Sequence, residues 1–229
     1  MSLYAIGDLH LSLGTDKPMD VFGGNWTNYT EKLRQGFSAL TEEDVTVLCG
    51  DLTWSMTLAG ALEDFLFIHA LPGKKIILKG NHDYWWTTAS AANKFFAQNG
   101  IDSISILNNN CHFYRDLALC GTRGWFYEEE RGGEHDKKIL LRETMRLEAS
   151  LKCAGTAPKL VFLHYPPKFQ GYECGPILDL LEQYQVSQCV YGHIHSKGCA
   201  AAFKGEHRGT RYRLVSADYV DFTPVKLTD

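Results

Sequence analysis

The chain has 229 residues, of which 45% are hydrophobic and 22% are charged, close to the average of soluble globular proteins. This composition excludes disorder, a collagen-like repeat or a coiled coil over the whole chain, and the length suffices for a substantial core. The 27 acidic and 23 basic side chains leave a formal net charge of -4. A broad positive field of the kind that long nucleic acids require is therefore not expected.

Hydropathy and cysteine use predict a cytoplasmic protein without a membrane span. No run approaches the length of a spanning helix, and the apolar N-terminal run meets Asp8 too early for a signal peptide. The seven cysteines are odd in number and include no Cys-x-x-Cys pair. Reduced thiols are expected, and neither a disulfide framework nor a structural zinc site is. The sequence does not specify an oligomeric state.

Short apolar runs alternate with longer amphipathic stretches along the chain. Strands are predicted over residues 3–6, 45–49, 75–78, 103–107, 117–120, 160–163, 188–191 and 212–216. Helices are predicted over residues 28–40, 57–70, 87–98, 137–152 and 176–184. This alternation predicts an α/β fold, and the lack of an internal repeat or linker predicts a single domain over residues 1–229.

Two of the predicted loops are unusually long. Residues 15–27 include a proline and two glycines, and residues 123–136 include three glycines and three consecutive glutamates. Loops of this length are often lids or binding loops, and the alternative is a surface insertion.

Carboxylate, amide and imidazole side chains follow five of the predicted strands. They occur in the segments Asp8-Leu9-His10, Gly50-Asp51, Gly80-Asn81-His82-Asp83, His164 and Gly192-His193-Ile194-His195. Loops at one edge of an α/β sheet converge on a crevice, so these side chains are expected to meet there. Oxygen and imidazole donors suit Mn, Fe or Zn, and the mixture suggests two ions that share a carboxylate. The glycines directly before Asp51, Asn81 and His193 fit tight backbone turns.

This ordered set resembles the calcineurin-like metallophosphoesterase superfamily, whose pattern is Asp-x-His, Gly-Asp, Gly-Asn-His-(Asp/Glu), His and Gly-His-x-His. The match extends from residue 8 to residue 195. The resemblance implies a four-layer α/β/β/α sandwich of two mixed sheets flanked by helices, with the site at one edge of the sheets. It also implies two divalent metal ions, one bound by Asp8, His10, Asp51 and His195 and the other by Asp51, Asn81, His164 and His193.

The same resemblance implies catalytic roles for His82 and Asp83. His82 would stabilise the transition state or protonate the leaving oxygen, and Asp83 would orient its ring. A neighbouring carboxylate would also favour the cationic, proton-donating form of the imidazole.

Arg123 and Trp54 are the candidate substrate-binding residues. A guanidinium fork can bind a phosphate, and an indole can stack on a flat or apolar group. The alternatives are a surface ion pair of Arg123 with Glu128 to Glu130 and core packing of Trp54. Trp54 belongs to the segment Leu52-Thr53-Trp54, where relatives often place another polar residue, so this departure concerns the substrate pocket.

These residues predict a metal-dependent phosphohydrolase in which a hydroxide that bridges two metal ions attacks phosphorus. The expected substrate is a small phosphodiester or pyrophosphate-linked metabolite, and the resemblance makes the intact His10 favourable to diesterase activity. The alternatives are a phosphomonoesterase or nuclease of the same superfamily, or a non-catalytic relative that binds protein. A nuclease needs a basic groove, and the only local basic cluster is expected to be a solvated hairpin: Lys204, Arg208, Arg211 and Arg213.

Overall fold

The computed structural model describes residues 1–126 and 133–228. Glu128 to Glu130, the alternative partners of Arg123, and most of the tip of predicted loop 123–136 lie outside the described residues. No helix within the described part of the chain has the length and apolarity that a bilayer span needs.

The described residues form thirteen strands and five helices. The strands are β1 Leu3–Ile6, β2 Val45–Leu48, β3 Lys74–Ile77, β4 Ile104–Ile106, β5 Cys111–Tyr114, β6 Leu117–Thr122, β7 Lys159–Leu163, β8 Lys168–Phe169, β9 Tyr172–Glu173, β10 Gln188–Tyr191, β11 Gly205–His207, β12 Thr210–Leu214 and β13 Val225–Thr228. The helices are α1 Tyr29–Phe37, α2 Leu62–Ala70, α3 Ala89–Gln98, α4 Glu134–Cys153 and α5 Gly175–Gln183.

All predicted strands and helices are present, with ends that differ by a few residues. The largest difference is the start of α2, because the predicted first turn, residues 57–61, forms separate turns before Leu62. The strands that the sequence did not reveal are β5, β8, β9, β11 and β13. They are short or partly exposed edge and hairpin strands, which lack the continuous apolar run of a buried strand.

Two large mixed sheets form the centre of the fold. One has the order β13-β1-β2-β3-β4, and the other has the order β11-β12-β10-β7-β6-β5. Within them β1, β2, β3 and β4 are parallel to one another, as are β6, β7, β10 and β12. The carboxyl ends of each parallel set therefore lie along one edge of its sheet.

Three clusters of buried apolar side chains separate four layers. One lies between the first sheet and helices α1 to α3, one lies between the two sheets, and one lies between the second sheet and helices α4 and α5. Strand β1 shows the origin of this layering, since Leu3 and Ala5 pack between the sheets while Ile6 packs towards the helices. The predicted α/β/β/α sandwich is confirmed.

The two sheets meet where β1 and β12 end. Gly7 donates its amide to Val215 O at 2.8 Å, and its carbonyl accepts the amide of Ala217 at 2.9 Å. This junction brings the loops that follow β1, β2 and β3 against those that follow β7, β10 and β12.

Candidate metal centre

The structure brings all seven predicted metal ligands together at this junction. Each follows a strand end: Asp8 and His10 follow β1, Asp51 follows β2, Asn81 follows β3, His164 follows β7, and His193 and His195 follow β10. Six of them form two groups, and within each group the candidate ligand atoms lie within 4.8 Å of one another: Asp8, His10 and His195 in one, and Asp51, His164 and His193 in the other.

In the first group, two imidazoles and a carboxylate face one another. His10 Nε2 lies 3.3 Å from His195 Nε2, and His195 Nε2 lies 3.5 Å from Asp8 Oδ1. Asp8 and His10 are buried, so little water can reach these atoms.

In the second group, Asn81 Oδ1 lies 2.6 Å from His164 Nε2 and 3.0 Å from His193 Nδ1. Asp51 joins the two groups through one oxygen, Oδ2, which is 3.5 Å from His164 Nε2 and 3.8 Å from His10 Nε2. Its other oxygen, Oδ1, accepts the amide of His82 at 2.7 Å, which fixes the orientation of the carboxylate.

The backbone at four of the ligands adopts a conformation that side chains other than glycine seldom adopt. The φ angles are 59° at Asp8, 47° at His10, 52° at Asp51 and 70° at His193. Positive φ at such residues costs free energy and is concentrated at functional sites. The surrounding packing therefore holds these ligand loops in place.

Two of the glycines in the motifs are required for close approach, and not for the tight turn that the sequence suggested. A Cβ atom at Gly80 would collide with the Asp51 carboxylate, and one at Gly192 would collide with the Asp8 carboxylate. Neither glycine has positive φ, whereas Gly50 has a φ of 84°. The first two glycines make room for a ligand carboxylate, and the third permits the turn.

Hydrogen bonds orient two of the four imidazoles. His164 Nδ1 lies 3.0 Å from Cys49 O, and His195 Nδ1 lies 2.8 Å from Asp218 Oδ1. Each Nδ1–H can donate to its oxygen, which leaves the Nε2 lone pair free for a metal ion. Sequence reasoning missed Asp218, although its position just after the predicted strand 212–216, at the same sheet edge, was a signal.

The charges and donors of the cluster fit divalent cations. Burial lowers the pKa of His10 and of His193 to about 3, so both imidazoles are neutral and carry a free lone pair. His10 Nδ1 is buried without a hydrogen-bond partner, and burial raises the pKa of Asp51 to about 7. Although burial opposes it, the Asp8 carboxylate raises the pKa of His195 to about 10, so at neutral pH the metal-free ring also holds a proton at Nε2, which a metal ion would replace. Imidazole and carboxylate donors of this kind suit Mn, Fe or Zn.

The structure changes the interpretation of His82 and Asp83. The Asp83 carboxylate accepts the amides of Asp51 at 2.9 Å, Leu52 at 2.9 Å and Gly80 at 2.7 Å, together with Trp85 Nε1 at 2.9 Å. The predicted contact with the His82 ring is not among its hydrogen bonds in the described residues, because the buried carboxylate is used by these donors.

The expected cationic form of His82 is also not supported. Burial, followed by the proximity of His164, lowers the pKa of His82, and this effect outweighs the attraction of Asp83. His82 Nδ1 lies 3.4 Å from the Tyr84 hydroxyl, and the ring centroid lies 4.5 Å from that of Trp54.

A cavity of about 490 Å³ adjoins the first ligand group and contains Trp54 but not Arg123. His10, His82 and His195 line one side, and the predicted loop 15–27 forms the other. The Trp54 indole stacks on His10, with centroids 4.9 Å apart, and its Nε1 donates to Met19 Sδ at 3.2 Å. Loop 15–27 thus forms a wall of the site.

The Arg123 guanidinium lines a separate cavity. Its Nη2 lies 3.4 Å from Glu143 Oε1, and the guanidinium lies over the Trp125 ring at 4.9 Å.

The sequence profile of the calcineurin-like phosphoesterase family matches residues 1–197. The chain is a calcineurin-like phosphoesterase. Members of this family are metal-dependent phosphohydrolases with a dinuclear divalent centre, and the two ligand groups of this phosphoesterase are its candidate metal sites.

Solved structures with the same fold include a phosphopantetheinyl hydrolase from Mycobacterium tuberculosis. It is 13% identical, with a TM-score of 0.61, and the match covers 99% of this chain and 95% of that one. A protein of unknown function from Aquifex aeolicus is 18% identical, with a TM-score of 0.53 and coverage of 98% and 95%. At these identities the likeness shows the fold alone. None of the curated proteins matches the chain.

Proposed function

We propose that the phosphoesterase hydrolyses a small phosphodiester or a pyrophosphate-linked metabolite. The observation that carries this proposal is the convergence of the candidate metal ligands in two adjacent groups, one of which lines a cavity of about 490 Å³ through His10 and His195. A cavity of this size suits a small molecule.

We assign the ligands by the two groups in the site. Asp8, His10, Asp51 and His195 would hold one divalent ion, and Asp51, Asn81, His164 and His193 would hold the other; Mn, Fe and Zn are the candidate metals. Such a pair of cations supplies an activated water and neutralises charge on the phosphoryl group. Asp51 Oδ2 lies between the groups, which supports a shared carboxylate.

His82 is the proposed catalytic residue for the departing oxygen. Its Nδ1 can accept a hydrogen bond from the Tyr84 hydroxyl, and a neutral ring then holds its own proton at Nε2. Since His82 lines the cavity, this Nε2–H can donate to a phosphoryl or leaving oxygen. Asp83 is the proposed positioning residue, because its carboxylate ties the amides of the Asp51 and Gly80 loops together.

Trp54 is the proposed contact for an apolar part of the substrate. It lines both the site cavity and an adjoining hollow of about 340 Å³ whose walls include Pro18, Met19 and Phe22. The Trp54 Nε1–H is already used by Met19, so the indole offers an apolar face. Trp54→Ala should raise KM mainly for esters with an acyl or aromatic substituent.

Arg123 is the proposed contact for an anionic group. Its guanidinium lines the separate cavity and not the one that contains Trp54.

The test of this function is a metal-supplemented hydrolysis screen. The protein is loaded with Mn, Fe or Zn and assayed with nitrophenyl phosphate monoesters, nitrophenyl alkyl diesters and pyrophosphate-linked nucleotides. We expect hydrolysis of diesters or pyrophosphates that a chelator abolishes and added metal restores. Hydrolysis of monoesters alone would favour a phosphomonoesterase. Full metal loading without hydrolysis of any ester would contradict the proposal and favour a protein-binding relative.

We also propose a cytoplasmic location. All seven cysteines are free thiols, and most of them are buried. Such thiols are typical of a reducing compartment.

A further inference from the structure

A second, smaller cavity of about 250 Å³ lies between the N-terminus of α3 and helix α4. Three basic side chains line it, those of Lys79, Arg123 and Arg146. We call it the basic cavity.

The basic cavity lies beside the metal centre along the same edge of the sheets. Lys79 follows β3 and precedes the ligand Asn81 by two residues, and Arg123 follows β6. The carbonyl of Arg123 accepts the amides of His164 at 3.1 Å and of Tyr165 at 2.9 Å. The loop that carries Arg123 is therefore bonded directly to the loop that carries a metal ligand.

Among the described residues that line the basic cavity, positively charged side chains outnumber negatively charged ones. Glu143 is the one carboxylate in this lining, and it is buried. Its Oε1 accepts Arg146 Nη1 at 2.7 Å and Arg123 Nη2 at 3.4 Å, and its Oε2 accepts the Thr122 hydroxyl at 2.5 Å. Three cations against one carboxylate leave a net charge of about +2.

Two of the donor groups on these side chains have no partner among the described residues. The Lys79 ammonium makes no hydrogen bond or ion pair with the described residues, and Arg123 Nε is buried without a partner. Glu143 and the Trp125 ring together hold the Arg123 guanidinium in place. A guanidinium held in this way loses little conformational entropy when an anion binds.

The start of α3 adds to the positive potential. Thr88 caps the helix by accepting the amide of Ala91 at 3.1 Å, and Thr87, Thr88 and Ala89 line the basic cavity. First-turn amides have no acceptor within their own helix, and they carry the positive end of the helix dipole.

We propose that the basic cavity binds a phosphoryl group of a small molecule. A phosphoryl dianion matches the charge of about +2 and offers acceptors for an ammonium, a guanidinium and helix amides. Two sources share this chemistry: a second phosphoryl group on the substrate, or free inorganic phosphate. The first source rests on the proposed function, and the second does not.

The first arm of the test counts phosphate sites. Inorganic phosphate is titrated into metal-loaded protein by isothermal calorimetry, and we expect two sites, one at the metal centre and one at the basic cavity. Lys79→Met should weaken the second site by about tenfold or more, because it removes a charged donor. Arg142→Met is the matched control, since Arg142 is exposed on α4 outside the basic cavity. Equal site counts and affinities in wild type and Lys79→Met would overturn the proposal.

Arg146→Met provides a second variant if Lys79→Met fails to fold, as judged by circular dichroism. It should also weaken the second site, because Arg146 supplies one of the three charges.

The second arm distinguishes the sources. Nitrophenyl diesters are compared whose alkyl substituent ends in either a hydroxyl or a phosphate, with linkers of varied length. If the substrate supplies the phosphoryl group, wild type should prefer the phosphate-terminated ester by about tenfold in kcat/KM, and Lys79→Met should reduce that preference. Two phosphate sites without such a preference identify free phosphate as the ligand. If no ester is hydrolysed, the proposed function fails, and the site count still decides the basic cavity.

Discussion

The two oxygens of Asp51 face different partners. Oδ1 accepts the His82 amide, while Oδ2 lies between the two ligand groups. Gly80 leaves room for this carboxylate, since a side chain there would occupy its space.

Asp51→Ala should lower the content of both metals, whereas Asn81→Ala should mainly lower the content of one. A shared carboxylate serves both ions, but the Asn81 amide faces only the group that contains His164 and His193. Elemental analysis after dialysis against a fixed metal concentration measures the difference, with the exposed Asp102→Ala as control. Two tightly held metals per chain in Asp51→Ala would contradict the ligand assignment.

His82→Ala should keep its metal and lose about 100-fold or more in kcat, the usual effect of removing a general acid or charge-stabilising donor. If His82 protonates the leaving oxygen, the loss should be smaller for nitrophenyl esters than for alkyl esters. Equal losses for both would show that His82 only stabilises charge. His135→Ala, at an exposed position on α4, is the control.

Asp218→Asn should weaken metal binding by about 10- to 100-fold, because carboxylates behind ligand imidazoles set their tautomer and orientation. Asp218 Oδ1 is 2.8 Å from His195 Nδ1, and Oδ2 accepts the Ser196 amide at 2.8 Å. Metal titration measures the affinity. The melting temperature of the chelated protein should change little, and the exposed Asp221→Asn should behave as wild type. A large fall in the metal-free melting temperature with unchanged affinity would assign Asp218 a structural role only.

At the scale of elements, Asp44 ties the start of β1 to the start of β2. Its carboxylate accepts the Ser2 amide at 2.5 Å and the Thr41 amide at 2.8 Å. Burial opposes ionisation, but these hydrogen bonds outweigh it and lower the pKa of Asp44. The carboxylate therefore contributes stability above its ordinary pKa of 3.8, and this contribution is lost as pH falls through the lower folded-state pKa.

Asp44→Asn should lower the free energy of unfolding at pH 7 by about 1–2 kcal/mol, the usual contribution of hydrogen bonds to a charged group. The difference from wild type should shrink below about pH 4, where the carboxyl becomes protonated. Urea unfolding at pH 7 and at acid pH measures this, with the exposed Asp116→Asn as control. A difference that is independent of pH would show that the charge has no part in the effect.

At the scale of the whole molecule, the net charge of -4 favours small substrates over long nucleic acids. The basic cluster at residues 204–213 does not change this expectation. Arg208 in the β11–β12 hairpin pairs with Asp179 and Glu182 on α5, so part of this cluster is already neutralised. Few basic groups then remain there for a long phosphate backbone.

We expect kcat/KM for the best small diester or pyrophosphate to exceed that for long DNA or RNA at physiological salt. The comparison is made with the same metal-loaded protein over a range of salt concentrations. Turnover of long nucleic acid above that of every small ester, with a steep salt dependence, would favour a nuclease.

The single domain over residues 1–229 stays a prediction, and the site geometry supports it. The two ligand groups are built from loops of both sheets, so neither sheet alone could form the centre.

The sequence by itself predicted the α/β layering and the convergence of the motif side chains at one sheet edge, and the family resemblance added the four-layer sandwich and the assignment of the seven candidate ligands. Ligand types follow apolar strands, and parallel strands deliver their ends to one edge, so local order along the chain predicts convergence in space. Edge strands such as β13 were not predictable, because a short, half-exposed strand has no distinctive apolar run.

Only the tertiary structure decided which partners these side chains meet. Adjacency in sequence suggested that Asp83 serves His82, yet its carboxylate binds amides of the Asp51 loop, more than 30 residues away. Asp218 contacts His195, which is 23 residues away in the sequence. The basic cavity is lined by Lys79 after β3, Arg123 after β6 and Arg146 on α4. Such contacts depend on how the layers pack, because packing decides which donors and acceptors are buried next to each other. The order of residues along the chain does not give the distances between side chains that are far apart in the sequence.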